Sequence, residues 1–352
     1  MKKKKILISS TTFNRKIKDG IFYYTKSLSE NFSKIYDIKK VAFEKKYNFW
    51  TQYPYSFYAI LNQLTKIDFK LKSNIDLIHI TDHRFLYSKL TPIISTIHDI
   101  IPLEHPEWEK NILRKTFYKK IFLKGVEYSD QIITVSNHSA NKLNLLGVKS
   151  NKINVVYNAP KKNFLENNLS IKKEKYLLFI GTISPRKNLL RVLKAVTLLD
   201  KDIFENYKLI IIGKISFILL EESLLLKKLI KINKVVFLKN ISDKHLLEYY
   251  KKSELLIFPS LSEGFGYPIL EAFATKLPVI TSKYGATKEI ANDAALLINP
   301  FNVLEIKDSI MEIIKNNSLK NNLIKKGTKR LSFFSHKKLI NETDKVYKKT
   351  IL

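Results

Sequence analysis

Short apolar runs rich in β-branched residues recur along the sequence, and most are followed by a helix-period pattern. In the first half they occupy residues 5–8, 77–80, 93–97, 131–135 and 153–157. In the second half they occupy 176–181, 208–213, 235–238, 255–258, 278–281 and 295–298. Runs without polar alternation suit parallel strands buried on both faces. Alternation with helices implies βαβ units. Two such sets in 352 residues predict an α/β chain of two doubly wound domains. The boundary is read in the polar, lysine-rich stretch Asn158-Ala159-Pro160-Lys161-Lys162-Asn163, which continues to about Glu174. Ligands of such sheets bind outside the carboxyl ends of the strands.

Composition removes several classes. A hydrophobic content of 45% with 12% aromatic residues argues for packed cores over disorder. With no cysteine there is no disulfide scaffold, thiolate metal site or cysteine nucleophile. The formal net charge of +30 suggests nucleic acid, but the excess divides evenly between the two halves, without a basic tail or a single patch. Scattered lysines fit attraction to an anionic membrane surface better than nucleic-acid binding. No apolar stretch reaches the ~20 residues of a membrane span. The basic start, residues 2–5, precedes an apolar core too short for a signal peptide. The expectation is a cytoplasmic protein, at most peripheral on the inner face of the membrane.

Chemistry concentrates in a few loops. The run 255–258 is followed by Pro259-Ser260-Leu261-Ser262-Glu263-Gly264-Phe265-Gly266-Tyr267-Pro268-Ile269-Leu270-Glu271-Ala272. Pro268 suits the first turn of a helix, placing Glu263 in a loop and Glu271 about one turn in. Free N–H groups near Ile269 and Leu270 would then face the loop mouth and favour phosphate. Gly264 and Gly266 would let the backbone approach a ligand. A plain strand-to-helix connection with two surface glutamates fits the local pattern as well. Gly181-Thr182-Ile183-Ser184-Pro185-Arg186-Lys187-Asn188 likewise joins a strand to a helix. Adjacent Arg186 and Lys187 suit a diphosphate, or else a solvated helix start.

Weaker signals lie in other loops. Asp19-Gly20-Ile21-Phe22 follows the first strand and could be a simple turn. His98 and Asp99 end a strand, where Asp99 could serve as a cap. Ser136-Asn137-His138 and Asn240-Ile241-Ser242-Asp243 each precede a helical pattern and could also be caps. There is no Walker loop or Cys/His cluster. No metal and no other cofactor is expected; cations and helix N-termini would meet the charge on a leaving diphosphate.

Together these strings resemble glycosyltransferase family 4. Glu263 and Glu271 are similar to its E-x7-E signature, and residues 181–188 to the G-T-x-x-P-R-K-N segment of its mannosyltransferase-like members. Two departures stand out: many members carry arginine where this chain has Thr182, and glycine where it has Phe22. The resemblance covers nearly the whole chain from Gly20 onward and is strongest from Gly181 to Glu271. It implies a GT-B fold, two Rossmann-like domains facing an interdomain cleft. Residues 1–165 would form the acceptor side and 166–334 the nucleotide-sugar domain, with a helix over 335–352 crossing back to the first.

The same resemblance implies retaining, metal-independent transfer of a hexose, mannose among the candidates. The donor would be a GDP- or UDP-linked sugar and the acceptor a glycan or lipid-linked glycan. Catalytic roles fall to His98, Glu263, Lys187 and Arg186. Donor binding falls to Gly264, Phe265, Gly266, Ile269, Leu270, Glu271 (ribose) and Ile241 (base). Gly20, Asp99 and His138 would line the acceptor and diphosphate side. An inverting or epimerising enzyme on the same fold and a non-catalytic nucleotide or glycan binder remain alternatives, separated by product stereochemistry and by turnover.

Overall fold

The computed structural model describes residues 3–14, 19–41, 74–82, 87–108, 112–166 and 170–351. They divide into two compact units, one of residues 1–159 with 336–352, the other of residues 160–335. The units part between residues 159 and 160, within the polar stretch 158–174 and before the 165/166 division that the resemblance implies, so the short helix Lys162–Leu165 belongs to the second.

Unit 1 is built on β1 (Lys5–Ser9), β2 (Asp37–Val41), β3 (Leu77–Ile80), β4 (Ile93–Ile97), β5 (Gln131–Thr134) and β6 (Ile153–Val155), in the order β2-β1-β3-β4-β5-β6. Unit 2 is built on β7 (Tyr176–Ile180), β8 (Lys208–Ile212), β9 (Val235–Leu238), β10 (Leu255–Phe258), β11 (Val279–Ser282) and β12 (Leu296–Ile298), in the order β12-β11-β10-β7-β8-β9. All the pairings among these strands are parallel. The central strands are buried end to end, as their unalternated apolar sequences require. Several runs are trimmed at their ends: Val135, Gly181 and Gly213 fall past the strands, and the strand read from Pro278 starts at Val279.

One strand escaped the sequence reading. β2 is Asp-Ile-Lys-Lys-Val at the edge of the sheet among the described residues, where it pairs with β1. An edge strand with two lysines carries no apolar run, and charges of this kind are what keep an edge from pairing further.

In unit 1 the helix Gly20–Phe32 buries Tyr24, Leu28 and Phe32, spaced four apart on one face. The helix His336–Ile351 supplies Leu339, Ile340, Val346 and Tyr347 to the same core. Tyr347 stacks on Phe32 with ring centroids 4.8 Å apart, and Tyr36 Oη donates to Asp344 Oδ1 at 2.6 Å. Each fully buried apolar side chain here is worth about 2 kcal/mol. In unit 2 the helix Leu189–Thr197 buries Leu189, Val192, Leu193 and Val196 against the sheet. In unit 2, β7 and β10 are neighbours although two strands separate them in sequence. The connections run to opposite sides from that point, which opens a crevice beyond their carboxyl ends.

Candidate active site

The loops after β7 and β10 meet at that crevice. Gly181 leaves β7 with φ +138°, and a Cβ there would lie 2.8 Å from Lys187 Cε. Glycine is therefore what allows the Lys187 chain to cross the strand end. A single turn, Pro185–Lys187, leads to Asn188 in the left-handed region at φ +62°. Asn188 Nδ2 donates to the carbonyls of Pro259 (3.1 Å) and Pro300 (2.6 Å), tying the loops after β7, β10 and β12 together. Arg191 donates to Asn188 Oδ1 at 2.9 Å, and Leu261 N donates to Arg186 O at 2.7 Å.

This stitching brings Arg186 and Lys187 onto Glu263. Arg186 Nη1 lies 2.6 Å from Glu263 Oε2, while Lys187 Nζ pairs with Oε1. Lys187 and Glu263 are nearly buried, and Lys187 Nζ also sits 4.4 Å from the Phe258 ring centroid. Burial alone would raise the Glu263 carboxyl, but the Arg186 and Lys187 cations outweigh it and hold it at about 2. A group depressed on folding adds stability above its unfolded range and loses that contribution as pH falls through its folded value. Glu263 therefore stays ionised across the neutral range, and any activity change between pH 5 and 8 belongs to another group.

Glu271 lies in the helix Tyr267–Ala274 and forms a second cluster. Its Oε2 accepts from Tyr250 Oη at 2.7 Å, and its Oε1 lies 2.9 Å from Lys161 Nζ. Phe164 packs beneath both partners, 5.1 Å from the Tyr250 ring and 5.6 Å from Lys161 Nζ. Glu271 is 3% exposed. Sequence reading missed Lys161 and Tyr250: the first looked like linker, and the second lies on a distant helix with no motif to mark it. Lys161 also lies 3.9 Å from Asp243, next to the loop that carries Ile241. Ser242 caps the helix Asp243–Lys252, accepting from His245 N at 3.2 Å, and Ile241 is partly exposed beside it.

One expectation at this helix start fails. Ile269 N already donates to Gly266 O at 3.0 Å, so it is not an open donor. The cause is the left-handed Gly266 (φ +107°), which folds its carbonyl under the first turn. Ile269, Leu270 and Phe265 are buried, with Gly264 and Gly266 forming the backbone between the two glutamates.

The remaining candidates form a separate set in unit 1. His98 is nearly buried after β4, and its Nε2–H donates to Thr81 O at 3.1 Å. The Tyr24 ring meets the His98 ring edge-on at 5.0 Å. Asp99 Oδ1 accepts from Ile101 N at 3.1 Å. Gly20 opens the helix that Asp19 caps, Asp19 Oδ1 accepting from Phe22 N at 2.9 Å. His138 is second in the helix Asn137–Leu145, capped by Ser136.

His79 was not anticipated. Fully buried on β3, it contacts Tyr347 Oη (2.6 Å) and Thr96 Oγ1 (2.7 Å). Burial first, then nearby His98, pushes its imidazole down to about 3, so it is neutral. Among the described residues no three His, Asp or Glu side chains gather as a metal site, and no helix is long and apolar enough to cross a membrane.

Two parallel-sheet units in succession, with cations and carboxylates gathered at a sheet's switch point, are the design of GT-B glycosyltransferases. The family model for glycosyl transferases group 1 matches residues 160–330, and that for glycosyltransferase family 4 matches residues 24–159. The chain belongs to this family and is a glycosyltransferase.

Among its relatives is the O-antigen chain mannosyltransferase RfbU of Salmonella typhimurium, 30% identical over 70% of this chain and 66% of that protein. The match therefore spans just under two thirds of that relative. The O-antigen chain mannosyltransferase B of Escherichia coli is 25% identical over 79% of this chain and 76% of its own. The fold is also that of Anabaena HepE, solved in complex with UDP-glucose, with a TM-score of 0.74 at 15% identity, covering 98% of this chain and 99% of that one.

Proposed function

We propose that this glycosyltransferase moves a mannosyl residue from a nucleotide-diphospho-sugar to a glycan or lipid-linked glycan, with retention and without a metal. The observation that carries the reading is the convergence of Arg186 and Lys187 on Glu263 at the switch point of unit 2. Fixed cations at that position match a departing diphosphate and need no reorganisation as it leaves. The mannosyltransferase relatives support the sugar. The donor nucleotide is GDP- or UDP-linked, HepE being a fold neighbour solved with a UDP-sugar.

In this reading Glu263 and the Gly264–Phe265–Gly266 backbone hold the sugar hydroxyls. Glu271 holds the ribose, and the Ile241 loop lies at the base. His98, Gly20, Asp99 and His138 keep the roles that the resemblance implies. The acceptor attacks on the face the diphosphate leaves, and the leaving phosphate oxygen takes the acceptor proton, so no carboxylate nucleophile is required. A cytoplasmic position beside an anionic membrane fits the lysine excess.

The test is turnover of a panel of GDP- and UDP-sugars, with the product anomer read by NMR. One donor should be consumed with retained configuration; inversion, or binding without turnover against several acceptors, would overturn the reading. Glu271→Ala should weaken nucleotide binding by about tenfold or more, since a buried carboxylate accepting two hydroxyls is lost. Calorimetry that found unchanged affinity would remove the ribose role. Activity should also survive EDTA, and complete loss restored by added divalent cation would contradict the metal-free mechanism.

A further inference from the structure

Two cations, Arg186 and Lys187, share one carboxylate, each on its own oxygen. Lys187 is nearly buried against Phe258, and the Asn188 bonds hold its loop in place. Neither cation can relax far when a ligand leaves. Without the carboxylate, both cations would lose this anionic partner in a low-dielectric setting, which strengthens the attraction of the crevice for phosphate.

We propose that Glu263 sets product release, repelling the freed nucleoside diphosphate more than the nucleotide sugar. This rests on the reading of Arg186 and Lys187 as diphosphate ligands. Two effects act in the same direction. The freed terminal phosphate carries more negative charge than the sugar-linked one, because its second ionisation is near neutrality. Repulsion by a fixed carboxylate therefore falls more heavily on product than on donor. The sugar, in turn, gains hydroxyl contacts to Glu263 that the product lacks. One carboxylate thus lowers product affinity and supports donor affinity, and it stays ionised across neutral pH.

The experiment is titration calorimetry with GDP, UDP, GDP-mannose and UDP-glucose on the unaltered protein and on Glu263→Gln, at low and high salt. The variant should bind the preferred nucleoside diphosphate about tenfold tighter or more, with a steeper salt dependence. Its affinity for the matching sugar nucleotide should stay level or fall.

To keep the test readable where loss of the carboxylate destabilises the variant, the same change is made on Lys187→Met. That single variant should lose diphosphate affinity, and Lys187→Met/Glu263→Gln should recover it to near the unaltered level. Diphosphate affinity that is unchanged or weaker on removing Glu263 in both backgrounds overturns this inference alone. Failure of the unaltered protein to bind any of the four nucleotides overturns the donor reading, and the inference with it.

Discussion

With Lys187 replaced by alanine, turnover is expected to fall by about two to three orders of magnitude, the usual loss for one preorganised charge donor at a developing anion. The geometry explains why a neighbour does not compensate. Arg186 is pinned to the other oxygen of Glu263, and the Lys187 loop is fastened through Asn188 to the carbonyls of Pro259 and Pro300. The substitution also leaves a buried carboxylate with one partner fewer, which costs about 3 kcal/mol of stability. Turnover must therefore be measured well below the melting transition, with donor saturation checked. A near-normal rate in folded Lys187→Ala would remove Lys187 from the reacting groups.

Gly213→Ala should be at least as damaging, by a different route. An added Cβ would stand 1.9 Å from Gly181 O, a backbone atom that cannot rotate away. The surrounding ladder resists movement: Gly181 N donates to Ile212 O and Gly213 N to Leu238 O, each at 3.0 Å. Relief requires β7 and β8 to part at their ends. The expected cost is about 3 kcal/mol, at the upper end for overpacking, against a total stability of only about 5–15 kcal/mol. Gly181 itself lies under Lys187 Cε, so the displaced strand end also moves the cation. Denaturant titration and turnover should fall together. A loss of stability below about 1 kcal/mol would mean that the strand ends yield more easily than their hydrogen bonds suggest.

The parts of this protein that were legible in sequence are those where one segment carries the whole signal. β4 and β10, buried on both faces, appear as continuous apolar runs, and Arg186, Lys187 and Glu263 lie in loops marked by glycine and proline. What was hidden depends on partners far apart in the chain. β2 looks polar because it is the edge strand of the sheet among the described residues. Lys161 and Tyr250 flank Glu271 only once the helix Asp243–Lys252 has packed beside Tyr267–Ala274. The open donor expected at Ile269 depended on the direction of one carbonyl, that of Gly266, which follows from a backbone angle and not from residue type.

The helix His336–Ile351 has a consequence for how the protein is made. The sheet translated first lacks Leu339, Ile340, Val346 and Tyr347 until residues 336–351 have left the ribosome. By then unit 2, residues 160–335, has its whole sequence available. The second unit can thus close while the first still shows the apolar face of Tyr24, Leu28 and Phe32. A nascent chain paused in unit 2 is the species that would engage holdase chaperones, because exposed apolar surface of that kind recruits them or aggregates.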